Sequence, residues 1–247
     1  DVWAPFYEQT FSRSGKGIAN DGLSRYDLTR PNRWYWQRLR DYAHTGASMG
    51  QLLFSSHYFQ HNILEAGAHW VDCPWRPVNN INATDFPEPV PFTGDKRIFM
   101  AEQFYNEKDS VLRPLHQQYI RQCMAQLADQ PNAVQLISDE YTGPLHFTKF
   151  WLETIGAWEK ETGKKPLVAL GCTKDAQDSI LQNQELSKLV DIIEIKYWHY
   201  HTKGIWAPPA GANMAPRQFM RKMKVGKTGF EEAYRAVREY RDAYPQK

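Results

Sequence analysis

Residues 133–143, Ala-Val-Gln-Leu-Ile-Ser-Asp-Glu-Tyr-Thr-Gly, carry the strongest constraint in this chain. Val134, Leu136 and Ile137 read as a short buried strand, and two carboxylates, Asp139 and Glu140, follow at its C-terminal end. A helix starts almost at once, because Thr142 is placed to cap it and Pro144 suits its first turn. Strand, acid, then helix is the layout of a parallel α/β barrel, where chemistry sits at the C-terminal ends of the strands. A carboxylate there is a candidate proton donor or nucleophile. The structural alternative is that Glu140 caps the helix or pairs with a surface base.

The same alternation runs along the rest of the chain. Spacing predicts a helix from Pro31 to about Thr45, with Tyr35, Leu39 and Tyr42 as its core stripe and Gly46 as its stop. A strand follows over 49–56, with Leu52, Leu53 and Phe54 buried. Further helices are expected from Val111 to Ala128, from Pro144 to Thr162 with Gly163 as stop, and over 178–189. Strands are expected over 133–138, 167–171 and 191–197. The last helix spans Phe230 to Tyr244, with Thr228 and Glu231 as capping box and Phe230, Tyr234 and Val237 as core stripe. Residues 1–30 read as loop, and 199–227 as irregular and basic. Residues 62–97 form a long irregular segment of the kind that carries function.

Strands alternating with helices mean parallel strands joined by crossover helices. The fold class expected is therefore α/β, a (β/α)8 TIM barrel. A closed barrel needs eight strands, and only four are evident, so 1–247 is expected to be a single barrel domain that is either the middle of a longer barrel or holds further strands hidden in its loops.

Composition narrows the function classes. Thirty basic and 28 acidic side chains leave a net charge of +2, which argues against a nucleic-acid binder held by bulk charge. No apolar run reaches the roughly 18 residues of a membrane span. The 3 cysteines, Cys73, Cys123 and Cys172, match neither a disulfide framework nor a zinc pattern. No signal-peptide pattern is present, and the chain opens at Asp1 rather than Met, which fits a processed protein or a fragment. Gly226-Lys-Thr228 looks like a phosphate loop, but Arg221 stands where the pattern needs glycine, and no cofactor is expected.

Glycoside hydrolysis needs two carboxylates flanking the bond. Glu140 is the first. Strand alternation puts Glu194, Lys196 and Trp198 on one face, which makes Glu194 a candidate for the second; Glu194 and Lys196 could equally form a structural ion pair, with the second acid beyond Lys247. Asp175, after the strand ending at Gly171, is a further candidate. Asp139 and Tyr141 flank Glu140 and are expected at the same site. His57 and His61 are four apart but lack a Glu-x-x-His frame, so hydrogen bonds to substrate hydroxyls are expected rather than a metal, with packing histidines as the alternative. In the long loop Trp75 offers a stacking face, and Asn79 and Asn80 offer paired donors and acceptors, which suits a sugar ring. The other reading of that loop is a segment pinned by its own Asn turns.

Four segments carry a family resemblance: Tyr26 to Leu39, His57-Tyr-Phe-Gln-His-Asn62, Cys73-Pro-Trp-Arg-Pro-Val-Asn-Asn-Ile-Asn82, and Ser138-Asp-Glu-Tyr-Thr-Gly143. Together they resemble bacterial glycoside-hydrolase-like (β/α)8 proteins, cellulase-type barrels of the clan containing many retaining β-glycosidases. The resemblance covers about residues 20–245. It implies that 49–56, 133–138, 167–171 and 192–197 are strands three to six of a chain covering about strands three to seven, with Glu140 as acid/base ending strand four and a second Glu ending strand seven, a strand that is not evident in 205–227. Asp139 stands where the family has Asn. The implied activity is hydrolysis of a poly- or oligosaccharide, without metal, in a secreted or periplasmic protein. The alternative is a non-catalytic barrel that grips glycan through Trp75, Trp198, His57 and His61.

Overall fold

A computed structural model describes residues 9–58, 60, 70–88, 101–195, 200–201, 204–205, 210–211 and 229–247. His61, Lys196 and Trp198 lie outside the described residues, as do most of the basic stretch and the end of the strand expected to reach Tyr197.

The N-terminal stretch expected as loop holds a ribbon. Strand β1 (Phe11–Arg13) pairs antiparallel with β2 (Tyr26–Pro31), with a register shift between Phe11 and Ser12. Phe11, Tyr26 and Leu28 turn inward, and Arg13 lies 3.8 Å over the Tyr26 ring. Pro31 thus ends a strand instead of opening a helix. Helix α1 (Arg33–Ser48) starts at Asn32, whose side-chain oxygen accepts from the Trp34 N–H, and it runs through Gly46. Its buried stripe is Tyr35, Trp36, Leu39 and Ala43, while Tyr42 faces outward.

Four parallel strands follow in chain order, β3 (Leu53–Ser56), β4 (Ala133–Leu136), β5 (Leu167–Leu170) and β6 (Ile192–Ile193). The segments between them supply α2 (Ala101–Phe104), α3 (Leu112–Leu127), α4 (Leu145–Thr162), α5 (Lys174–Gln182) and α6 (Gln184–Ser187). The sheet order β3-β4-β5-β6 shows the expected α/β class. Among the described residues the sheet is open, with no pairing between β3 and β6. Its two faces differ. Ala133, Val168 and Leu170 join the aromatic and aliphatic core under α3 and α4. Val134, Leu136 and Ala169 form a separate small cluster on the other face.

Several boundaries differ from expectation. Strand β3 begins at Leu53, and at the edge of the sheet formed by the described residues Leu52 and Phe54 are exposed. The N-cap of α4 is Pro144, not Thr142; Gly163 does close that helix, with φ +69°. The single helix expected over 178–189 starts earlier and breaks at Asn183, whose side chain accepts from the N–H groups of Glu185 and Leu186 and restarts the chain as α6. A second ribbon, β7 (Tyr200–His201) with β8 (Gly204–Ile205), follows the sheet.

The last helix, α7 (Phe230–Ala243), is capped by the Glu232 carboxylate on the Gly229 N–H at 2.8 Å, one position later than the expected box. It also faces the other way. Phe230, Tyr234 and Val237 are exposed, and Ala236 and Tyr240 are buried. The cause is Lys174 on α5, 2% exposed, whose ammonium meets Asp178 at 2.8 Å and Glu239 at 2.6 Å. Tyr240 donates to Asp178 at 2.7 Å. A buried ammonium must be paired, so this pairing fixes which face of α7 turns inward.

Candidate functional site at the strand ends

The sequence around Glu140 folds into a tight turn at the end of β4. Ile137 and Ser138 are still buried, Asp139 is exposed, and Glu140 is half-buried with φ +48°. A non-glycine residue in the left-handed region is uncommon, and only two described non-glycine residues adopt positive φ, Glu140 and Ala83. Such outliers persist where the surroundings fix them. Here the surroundings are the Gln60 amide. Its Nε2 donates to the Glu140 carbonyl at 2.5 Å, and its Oε1 accepts from the Thr142 N–H at 2.7 Å. The Gln60 N–H in turn donates to Ser138 Oγ at 3.1 Å, and Ser138 Oγ donates to the Asp139 carbonyl at 3.0 Å. Gln60 is fully buried. Thr142, expected as a helix cap, instead holds Gln60 through its N–H, and its carbonyl accepts from the Gly211 N–H.

Tyr141 turns inward and is fully buried. Its ring lies against Gly143, where any Cβ would stand 2.3 Å from the hydroxyl, so only glycine fits there. Burial pushes the Tyr141 hydroxyl well above its ordinary range. The ring meets Tyr105 edge-on at 5.5 Å. Tyr141, expected at the site, is thus a core residue packed against an aromatic neighbour.

Two strands over, Glu194 follows β6. Its N–H donates to the Leu170 carbonyl at 2.9 Å, and its carboxylate lies across Gly171 at the end of β5. A Cβ on Gly171 would sit 1.9 Å from Glu194 Oε2. A second buried amide works here. Gln177 on α5 accepts from the Cys172 N–H at 3.3 Å and donates to the Glu194 carbonyl at 3.2 Å. Glu140 and Glu194 therefore follow alternate parallel strands with β5 between them, Glu194 beside Gly171 just past β5 and Glu140 in the turn beyond the end of β4 at Leu136. Asp175 is engaged elsewhere. It accepts from Thr173 Oγ1 at 2.6 Å and from the Ala210 N–H at 3.0 Å, tying residues 210–211 to α5.

The His57 and loop positions turn out to be framework. His57 follows β3 at the same end of the sheet, but it is 3% exposed. Trp151 Nε1 donates to its Nδ1 at 2.9 Å, so Nε2 carries the proton and donates to Gln135 Oε1 at 3.0 Å. Both ring nitrogens are used, and burial pulls the imidazole down to about 4. The expected contact to substrate hydroxyls is replaced by a bridge between β4 and α4.

Trp75 is 5% exposed and stacked on His116 at 4.7 Å, so the face expected to meet sugar is covered. Asn79 donates to the carbonyls of Val71 and Cys73 and accepts from the Asn20 N–H. The Asn80 amide nitrogen reaches the carbonyls of Pro74, Trp75 and Arg76 and the hydroxyl of Thr84, and its oxygen accepts from the Asn82 N–H. This is the loop pinned by its own asparagines, the alternative reading of the sequence.

The residues that sequence reasoning missed are Gln60 and Gln177. Their signal is slight: each is one polar residue among several in a segment that follows a strand. Among the described residues no group of three or more His, Cys, Asp or Glu side chains could hold a metal ion, and no helix is long and apolar enough to cross a membrane.

No curated protein and no solved structure matches this chain. One protein family does, described as Domain of unknown function (DUF6298), and the match runs over residues 1–247. The chain belongs to the DUF6298 family.

Proposed function

We propose that this chain hydrolyses a glycosidic bond in a poly- or oligosaccharide, on a (β/α)8 scaffold in which β3 to β6 are consecutive strands. The observation that carries this reading is the pair of acids, Glu140 and Glu194, at the C-terminal ends of alternate parallel strands, one of them on a strained turn. Glu140 protonates the leaving oxygen. Glu194 either attacks the anomeric carbon, forming a glycosyl-enzyme ester that water later hydrolyses, or takes a proton from the water that attacks. Carboxyl groups about 5–5.5 Å apart give retention, and about 6.5–9.5 Å give inversion. Retention, the mode the family resemblance implies, requires the two side chains to lean together across β5. We place the protein in a secreted or periplasmic setting, where such glycans occur.

The binding-only reading named Trp75, Trp198, His57 and His61 as contacts; Trp75 and His57 are buried in the framework, and Trp198 and His61 lie outside the described residues. The test is release of reducing ends from a panel of plant and microbial polysaccharides by the wild type, Glu140→Gln and Glu194→Gln, with the first-formed anomer followed by proton NMR. Loss of the general acid is expected to lower turnover about 10²–10⁴-fold on a natural glycan. The loss should be smaller on an activated aryl glycoside, whose leaving group needs little protonation. Full activity of a folded Glu140→Gln would remove the assignment.

A further inference from the structure

The two strand-end acids share a device. In each case a buried glutamine accepts a backbone N–H from one side of the site and donates to the carbonyl of the acid itself. Gln60 does this for Glu140, spanning to Thr142; Gln177 does it for Glu194, spanning to Cys172 just past the neighbouring strand β5. Both glutamines are 0% exposed. A glutamine presents one donor group and one acceptor on a rigid plane, so it can hold two backbone groups in a fixed relation. Neither amide needs a substrate to complete it.

We propose that Gln60 and Gln177 are the positioning residues for the two carboxylates, fixing the backbone from which each side chain projects. The inference rests on the hydrolase reading of Glu140 and Glu194 for its catalytic part. The geometry carries it furthest at Gln60. The Glu140 backbone stands at φ +48°, where an L-residue is disfavoured, and the Gln60 amide clamps the chain directly after it, from the Glu140 carbonyl to the Thr142 N–H, while the Gln60 N–H reaches Ser138 before it. Removing the amide takes away the two bonds that fix the carbonyl side of the left-handed glutamate. The carboxylate then swings away from the direction set by β4. At Gln177 the same grip joins β5 to β6, holding the Glu194 backbone beside Gly171, against which the carboxylate lies.

The experiment uses Gln60→Met, which keeps volume and removes both hydrogen bonds, and Gln60→Glu, which keeps the acceptor and removes the donor. Three readouts are taken. The first is the carbon chemical shifts of Glu140, which report its backbone region; they are expected to leave left-handed values in Gln60→Met. The second is the gain in folding equilibrium from Glu140→Gly. Glycine accepts positive φ freely, so the gain should be about 5- to 30-fold in the wild type and absent in Gln60→Met. The third is hydrolysis of a polysaccharide that the wild type cleaves. There kcat is expected to fall about 10- to 100-fold through misplacement, with KM kept within about twofold. Gln177→Met is expected to show the same split between kcat and KM.

Positive-φ shifts in Gln60→Met, with the glycine gain intact, would overturn the proposal. So would a released turn with unchanged kcat. If Glu140→Gln keeps its activity, or the wild type cleaves no glycan, the hydrolase reading fails, while shifts and stability still decide whether Gln60 holds the turn. If Gln60→Met does not fold, Gln60→Glu is read by the same three measures.

Discussion

The loop at 70–88 and the turn at 138–142 are both rich in polar residues, and they use them in opposite ways. In the loop, Asn79 and Asn80 direct their amide donors to nearby carbonyls and are 1% and 2% exposed. Trp75 covers one ring face with His116, and Phe86 lies against Phe104. In the turn, backbone groups are held by Gln60 from outside the turn, and Asp139 and Glu140 remain exposed and half-buried respectively. Polar groups that satisfy one another build a scaffold.

The largest effect should come from acid, acting on the scaffold side. Burial holds His57 and His116 down to about 4, against an ordinary 6.5. The unfolded chain binds the protons that the folded chain refuses. Stability from each histidine is therefore complete above about pH 6.5 and is lost as pH falls toward 4, about 3 kcal/mol per residue. Urea unfolding at pH 7 and at pH 4.5 measures it. A flat profile would mean that neither ring is buried neutral, and the scaffold side of the comparison would break.

Asn80→Ala should cost about 2–3 kcal/mol, because several buried groups lose their partner at once. Activity per folded molecule should stay unchanged, which separates loop from turn. A thermal melt together with an active-site titration would show both. Gly171→Ala should be felt differently. The new Cβ lands 1.9 Å from Glu194 Oε2, so the carboxylate must move. Overpacking of this kind costs about 1–3 kcal/mol, and the expected signature is lost hydrolysis in a protein that still folds. The smallest change is Ser138→Ala, which removes one link in the Gln60 chain. About 1 kcal/mol of stability is expected to go, with a proportionally larger drop in turnover. Equal losses in both would place Ser138 with the scaffold.

Much of the frame was legible in the chain. Apolar runs at 133–137 and 167–170, helical stripes between them and Gly163 at a helix end each follow from local period and turn chemistry. Three things were not legible. The ribbon of β1 and β2 is too short and too interrupted by glycine to show a period. The direction of α7 is decided by Lys174 on another helix, a contact absent from the local pattern. The fate of His57, Trp75, Asn79 and Asn80 depends on partners far along the chain or across a folded loop, and residue type alone suits a sugar as well as it suits a carbonyl. That Glu140 and Glu194 follow strands of one sheet was legible from the apolar runs before them; their contacts with Gln60 and Gln177 were not, since each joins segments apart in sequence.

The buried thiols turn these regions into clocks. Burial raises Cys73 to about 12 and pushes Cys123 and Cys172 upward as well, the last with added repulsion from Asp175, Asp178 and Glu194. Thiolate is the reactive species, so an alkylating reagent at neutral pH must wait for local opening. Cys73 sits in the 70–88 loop, Cys123 in α3 and Cys172 just past β5. Their relative labelling rates then rank how often each part of the native protein opens. A loop that is true framework labels no faster at Cys73 than the helix does at Cys123.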